Sequence, residues 1–370
     1  MSSFAPLAPP KRLLFGPGPS LVAPRVYEAM GKPIVGHLDP FFFQINEEIR
    51  TGLQAAYGTA NAFTMALSGT GSAGMEAAIS NFVEPGSKLV VFANGFFCDR
   101  MAEMGRRQGA AVVRFEAPWG ESFDDDAAAE FIRRERPNAV AFVHGETSTG
   151  VFTSGEAICA AAHEVGAVTI ADCVTSLGTM PINLDATGID VAYSCTQKGL
   201  SCPPGLSPIS CSPMAMDRLK ARTTVNHSWY LDLKLLAEYY EGSHRYHHTA
   251  PISMFYALRE GLGLVLEEGV EARFARHKAN QEKFVEGLNA LGMELLVKPG
   301  ARMWALHTPK VPAGVNDLDV RKKLMERHGI EIQGGFGPLA GKVFRIGLMG
   351  EGSTAENVEM LLGAIGEAIV

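Results

Sequence analysis

No stretch of this chain is apolar for long enough to cross a membrane, and nowhere does it carry a block of about five or six like charges. Asp124-Asp125-Asp126 is the longest acidic cluster and reads as the amino end of a helix. The net charge of -7, with 20% charged residues and no basic stripe, argues against nucleic acid or an anionic membrane as partner. Cysteine is scarce too. Cys98, Cys159, Cys173, Cys195, Cys202 and Cys211 form no Cys-x-x-Cys pair, so neither a zinc site nor a disulfide framework is expected, and the thiols are read as reduced. Internal repeats and low-complexity segments are missing. The first residues lack a positive flank followed by an apolar core, and Ala368-Ile369-Val370 is not a Ser-Lys-Leu type address. A cytoplasmic protein is the expectation.

What is present is 46% hydrophobic residues in 370, enough for a large and a small domain. Short apolar runs bounded by turn residues (63–67, 88–92, 111–115, 139–143, 167–171 and 189–194) alternate with helical segments near 72–83, 96–108, 124–135 and 154–165. That rhythm predicts an α/β fold with a mostly parallel sheet covered on both faces. After the last of these runs it breaks. Residues 251–282 read as one long helix, followed by strands (293–297, 304–308, 342–346) and helices (317–328, 354–368) of a smaller α+β C-terminal domain. The expected division is an N-terminal arm over 1–20, a large domain over 21–260 and a small domain over 261–370.

Four features carry chemistry. Lys198 stands where the apolar run 189–194 gives way to Gly199-Leu200-Ser201-Cys202-Pro203-Pro204-Gly205. At the carboxyl edge of an α/β sheet a partly desolvated lysine can serve as a Schiff-base nucleophile, although most lysines that end a strand are solvated surface charges. Gly69-Thr70-Gly71-Ser72-Ala73-Gly74 matches the dinucleotide fingerprint, but the next strand runs into Ala93-Asn94-Gly95 and offers no carboxylate for a ribose. A single phosphate at a helix start fits as well, and so does a plain capped helix. Asp172 closes another strand, either as a turn cap or as the partner of a cofactor's pyridine nitrogen. Arg345, projected from the apolar strand Val343-Phe344-Arg345-Ile346, is either a fork for a substrate carboxylate or half of an interdomain ion pair. His244, His247 and His248 have helical spacing but lie before Pro251, where no helix is secure, and no metal is expected there. Phe41-Phe42-Phe43 is read as core or as an interface between subunits.

Taken in order, Leu14 to Ser20, Ser68-Gly69-Thr70-Gly71, Ala93-Asn94-Gly95, His144 to Gly150, Asp172 with Ser176-Leu177-Gly178, Gln197-Lys198, Tyr246-His247-His248-Thr249 and Phe344 to Gly347 resemble the class V aminotransferases. Within them the resemblance is to the alanine–glyoxylate and serine–glyoxylate group. It covers nearly the whole chain.

That resemblance implies fold type I and pyridoxal 5'-phosphate as cofactor. Lys198 would carry it, Asp172 would bind its ring nitrogen, Phe97 would stack on the ring, and Thr147 would bond near its phenolic oxygen. Thr70, Gly71, Ser72 and Gln197 would hold the phosphate, joined by Tyr246 and Thr249 from the partner subunit of a homodimer. Arg345 would grip the substrate carboxylate, with the Gly18 region closing over it. Relatives often have Trp at the place of Phe97 and Ser at that of Thr147, and both exchanges keep the ring or the hydroxyl. The implied reaction is ping-pong transamination from a small amino acid (alanine or serine) to a small 2-oxo acid (glyoxylate or pyruvate). The competing readings are a lyase of the cysteine desulfurase type, a nicotinamide-dependent oxidoreductase and a non-catalytic pyridoxal phosphate binder.

Overall fold

Apolar, β-branched runs too short for helices build the centre of the molecule. In the computed structural model, which describes residues 4–241 and 243–370, they form one seven-stranded sheet. In chain order its strands are β2 (Phe63–Ser68), β3 (Lys88–Ala93), β4 (Ala111–Glu116), β5 (Ala139–Val143), β8 (Val168–Asp172), β9 (Val191–Tyr193) and β10 (Leu206–Cys211). Across the sheet they run β2-β10-β9-β8-β5-β3-β4, and only β10 is antiparallel to its neighbours. Every residue of β2, β5, β8, β9 and β10 is buried, as expected where helices cover both faces. The outer strand β4 is half-exposed and carries Arg114, paired with Asp99 and Glu116, a charge that blunts the sheet edge.

The helices between the strands follow the expected rhythm: α3 (Gly71–Phe82), α4 (Phe96–Arg107), α5 (Asp125–Glu135) and α6 (Glu156–Glu164). Asp124 caps α5 by accepting from the Ala127 N–H, the start signal that its sequence announces. Between β5 and α6 lies a small hairpin of β6 (Gly145–Glu146) and β7 (Val151–Phe152).

Two local expectations are corrected, and one strand has no counterpart in the sequence reading. After the Gly199–Gly205 loop the chain returns as β10 between β2 and β9. Pro208 disguises this strand by having no N–H to give, while its carbonyl accepts from Ser194 N at 2.8 Å. The single long helix expected over 251–282 is two, α10 (Ile252–Glu268) and α11 (Val270–Ala290), parted at Gly269 with φ 86°. The strand expected at 293–297 is reduced to a single bridge from Leu295 to Pro309.

One large hydrophobic core runs from Val26 to Val265 and includes Phe42 on α2 (Pro40–Tyr57), whereas its neighbour Phe41 is exposed. The chain therefore leaves the first core at the turn between α10 and α11, a little beyond the boundary read at 260. A second core gathers Phe284, Leu288, Val320, Leu324, Phe344, Ile346, Val358 and Leu361 around the strands β11 (Leu306–His307), β13 (Gln333–Gly334) and β14 (Phe344–Gly347). The last residues of the expected arm belong here. β1 (Leu13–Leu14) pairs in parallel with β12 (Ile330–Glu331), and Phe15 is fully buried.

Two contacts tie this second core to the lysine segment. Ser20 donates its hydroxyl to the Lys198 carbonyl at 2.7 Å, and the fully buried Arg273 of α11 donates to the carbonyls of Gly199 (2.8 Å) and Gly178 (3.1 Å). Gly199 has no room for a side chain, since a Cβ there would strike the Leu177 carbonyl and the Thr179 methyl. Gly199→Ala is expected to destabilise the fold by about 1–3 kcal/mol through overpacking. A lowered denaturant midpoint with an unchanged slope is the check.

Candidate active site

The carboxyl ends of β5, β8 and β9 open on a cavity of about 240 Å³. Its walls include Thr70, Gly71, Ser72, Phe97, Thr147, Asp172, Gln197 and Lys198, so eight of the sequence-derived residues converge on one crevice. Arg100, Thr175 and Cys195, which the sequence did not single out, line it as well.

Asp172 is the last residue of β8 and lies opposite Tyr193, the last of β9. Its carboxylate accepts from Val174 N and from the Tyr193 hydroxyl, each at 2.8 Å. Burial nevertheless dominates and raises its pKa to about 6, against the two donors that favour the charged form. A carboxylate held at this depth is suited to a cationic N–H.

Lys198 lies five residues beyond β9, on a turn closed by Ser201 N donating to the Lys198 carbonyl at 3.0 Å. Its amine faces the cavity, yet the protein around it and the positive charge of Arg345 lower its pKa, so more of it is the free amine. Gly18, at φ +119°, lies directly against it: a Cβ there would come within 2.8 Å of the lysine's Cδ, Cε and Nζ. The arm thus lids the lysine only because Gly18 has no side chain.

The opposite end of the cavity is the start of α3. Thr70 is its N-cap residue but makes no side-chain cap bond, which leaves the first amides of the helix to a ligand. Gly71 permits close approach, since a Cβ would meet that of Cys195 at 3.0 Å.

Phe97 is placed by a residue that the sequence reading gave no role. Glu146, fully buried in the β6–β7 hairpin, accepts from Phe97 N at 3.0 Å, while Ser148 Oγ accepts from Phe96 N at 3.0 Å. Together they cap α4, whose own N-cap is Gly95 with no side chain to offer. The Ser148 amide and hydroxyl also donate to Glu146, at 3.0 and 2.7 Å, and burial still raises its pKa.

Arg345 stands apart from the cavity walls. Its Nε donates to the Gly334 carbonyl at 2.7 Å, and Phe336 covers its face with the ring centroid 3.7 Å from the guanidinium carbon. The two Nη groups take no protein acceptor among the described residues, and burial lowers the pKa to about 10. Tyr246 and Thr249 do not line the cavity. Both are exposed on the segment whose neighbours His247 and His248 pack inward, with His248 Nε2 bonded to Ser68 Oγ at 2.6 Å.

Pyridoxal phosphate fits the residues present. The Gln197 Oε1 and Thr175 Oγ1 atoms at the cavity are buried with no protein partner. The one acidic group on the wall is Asp172, the group suited to a pyridinium, and the end at the start of α3 offers hydroxyls, helix amides and the Arg100 guanidinium, donors suited to a phosphate. Fold and site together define a fold type I enzyme dependent on that cofactor.

Comparison with known proteins supplies the family. The profile of aminotransferase class-V matches residues 13–361. An alanine–glyoxylate aminotransferase of Oryctolagus cuniculus is 41% identical over 98% of this chain and 94% of its own length. A (S)-ureidoglycine–glyoxylate transaminase of Bacillus subtilis is 36% identical over 100% of this chain and 93% of its own. The crystal structure of an alanine–glyoxylate aminotransferase from Nostoc sp. superposes with a TM-score of 0.98 at 44% identity, covering 100% of this chain and 98% of that one. The chain belongs to the class V aminotransferase family, and it is a transaminase.

Tyr193 was legible only as a strand residue. Removing its hydroxyl takes a donor from the charged form of Asp172, so Tyr193→Phe is expected to push that pKa above about 6. Cofactor affinity should fall by roughly tenfold, as for loss of a hydrogen bond to a charged group, measured by fluorescence titration of the cofactor-free protein.

Proposed function

We propose that this transaminase moves the amino group of a small amino acid, alanine or serine, to a small 2-oxo acid, glyoxylate or pyruvate. The observation that carries the substrate class is Arg345, which has its Nε occupied by Gly334 and one face covered by Phe336. What it presents is an end-on pair of Nη donors, enough for one carboxylate. The names of the rabbit and Nostoc relatives support alanine and glyoxylate, and that of the Bacillus relative supports glyoxylate.

Placement supports the residue roles in this reading. Asp172 would keep a proton on the cofactor's ring nitrogen. Phe97 and Thr147 hold the ring, and Thr70, Gly71, Ser72 and Gln197 hold the phosphate. When bound, the cofactor supplies a conjugated ring that accepts the electron pair of the substrate Cα–H bond. Lys198 Nζ, a base weakened by burial and by the charge of Arg345, would take the Cα proton and return it on the same side of the cofactor, with Gly18 limiting water above it. Two half-reactions alternate, each product leaving before the next substrate enters.

Cys195 gives no support to a desulfurase. It is the one cysteine on the cavity wall, and burial pushes its thiol up to about 12, which leaves almost no thiolate at neutral pH. A second copy of the chain is part of the proposal, because Tyr246 and Thr249 are exposed and Trp229, Tyr230 and Phe41 add exposed aromatic surface for an interface. Six free, buried cysteines support a reducing, cytoplasmic setting, and no helix among the described residues is long and apolar enough to cross a membrane.

The visible band of the loaded protein should bleach when L-alanine or L-serine is added with no oxo acid, and return on adding glyoxylate. Arg345→Gln should leave the band in place and raise the donor concentration for half-bleaching by roughly 10- to 100-fold, the loss of a charge-assisted pair. A band that neither donor alters would contradict the assignment.

A further inference from the structure

The cavity holds a cation that the roles above leave unused. Arg100 lies in the second turn of α4, on the cavity wall, with its guanidinium carbon 5.0 Å from the centroid of Phe97 and 5.5 Å from that of Phe96. Its Nη1 donates to Ser72 Oγ at 3.0 Å, at the start of α3. No carboxylate pairs with it among the described residues, and its neighbour Asp99 gives its own to Arg114 at 2.7 Å.

This placement is electrostatically unfavourable as it stands. The amino end of α4 already faces the Glu146 carboxylate, but that of α3 has no acidic residue in its first turn and carries partial positive charge, and a guanidinium beside it adds to it. Among the wall residues the sole carboxylate, Asp172, is already committed to Val174 N and Tyr193. An anion at the start of α3 resolves the conflict. The remaining groups there (Thr70, Gly71, Ser72, Gln197) are neutral, so they supply direction but no balancing charge.

We propose that Arg100 is the charged partner of the cofactor's phosphate, reaching it alongside Ser72 while its plane packs on Phe97. The inference rests on the pyridoxal phosphate reading of the site and extends it to a residue outside the recognised motifs. It also bears on substrate choice: a guanidinium committed to phosphate is not free to take a second substrate carboxylate, which strengthens the preference for small donors.

The test compares pyridoxal phosphate with pyridoxal, which lacks the phosphate, binding to cofactor-free wild-type, Arg100→Gln and Arg100→Lys proteins, by absorbance titration. Arg100 is partly exposed, and thermal melting of each variant verifies that it folds. The expected result for Arg100→Gln is a roughly tenfold or greater loss of affinity for pyridoxal phosphate, little change for pyridoxal, and a flatter dependence of pyridoxal phosphate affinity on salt. Arg100→Lys should keep most of the affinity, since it keeps the charge. Equal losses for both ligands would overturn the proposal and leave Arg100 as a support for the Phe97 ring. No loss for either would overturn it too, freeing the guanidinium for a substrate carboxylate. If wild type binds neither compound, the cofactor reading itself fails and this inference falls with it.

Discussion

Everything at this site is arranged around a carboxylate that the fold buries at the end of a central strand. Removing Asp172 from water disfavours its charge, and the two donors that offset this come from the turn after β8 and from the last residue of β9. The parallel register that sets Asp172 opposite Tyr193 therefore does two things. It holds the carboxylate at the cavity floor, and it sends the chain from Tyr193 through Cys195 and Gln197 to Lys198 on the same edge. In the proposed reading, the carboxylate for the cofactor's ring nitrogen and the lysine that would carry the cofactor are thus spaced by one strand pairing.

A second level of organisation joins this edge to the C-terminal core. Arg273 bonds the carbonyls of Gly178 and Gly199 with one half of its guanidinium and meets Glu268 (2.7 Å) and Glu351 (3.3 Å) with the other. Phe15 accepts from Gly347 N on β14, three residues before Gly18 crosses Lys198. The strand that carries Arg345 and the segment that carries Lys198 are consequently linked on both sides. Their mutual electrostatics, in which Arg345 helps to lower the lysine pKa, follows from that linkage. In the proposed reading, a substrate carboxylate at Arg345 would neutralise part of this field and so couple carboxylate binding to the basicity of the amine.

Much of this was legible in the sequence because it depends on local pattern. Fully buried parallel strands read as short apolar runs, and ligands collect at their carboxyl ends, so Lys198, Asp172 and the Gly69-Thr70-Gly71 turn could be placed from spacing alone. Phe97, Thr147, Gln197, Tyr246 and Thr249 came from the family resemblance, and the first three line the cavity while the last two do not. Tyr193, Glu146 and Arg100 went unread for a shared reason. The partner of each lies far off in sequence, across a strand register, a hairpin or a pair of helix ends, and nothing in the surrounding residues marks it. β10 was hidden by Pro208, whose missing N–H argues against a central strand, and the α10–α11 break by a lone Gly269 within a helical pattern.

The central claim is that Lys198 is the residue that binds the cofactor covalently. Borohydride reduction of the loaded protein, followed by proteolysis and mass spectrometry, tests it most directly. The account predicts a stable pyridoxyl phosphate mass on the peptide containing Gln197-Lys198-Gly199 and on no other, with none after Lys198→Ala. A label on a different lysine, or no label on a protein that carries the visible band, would contradict it.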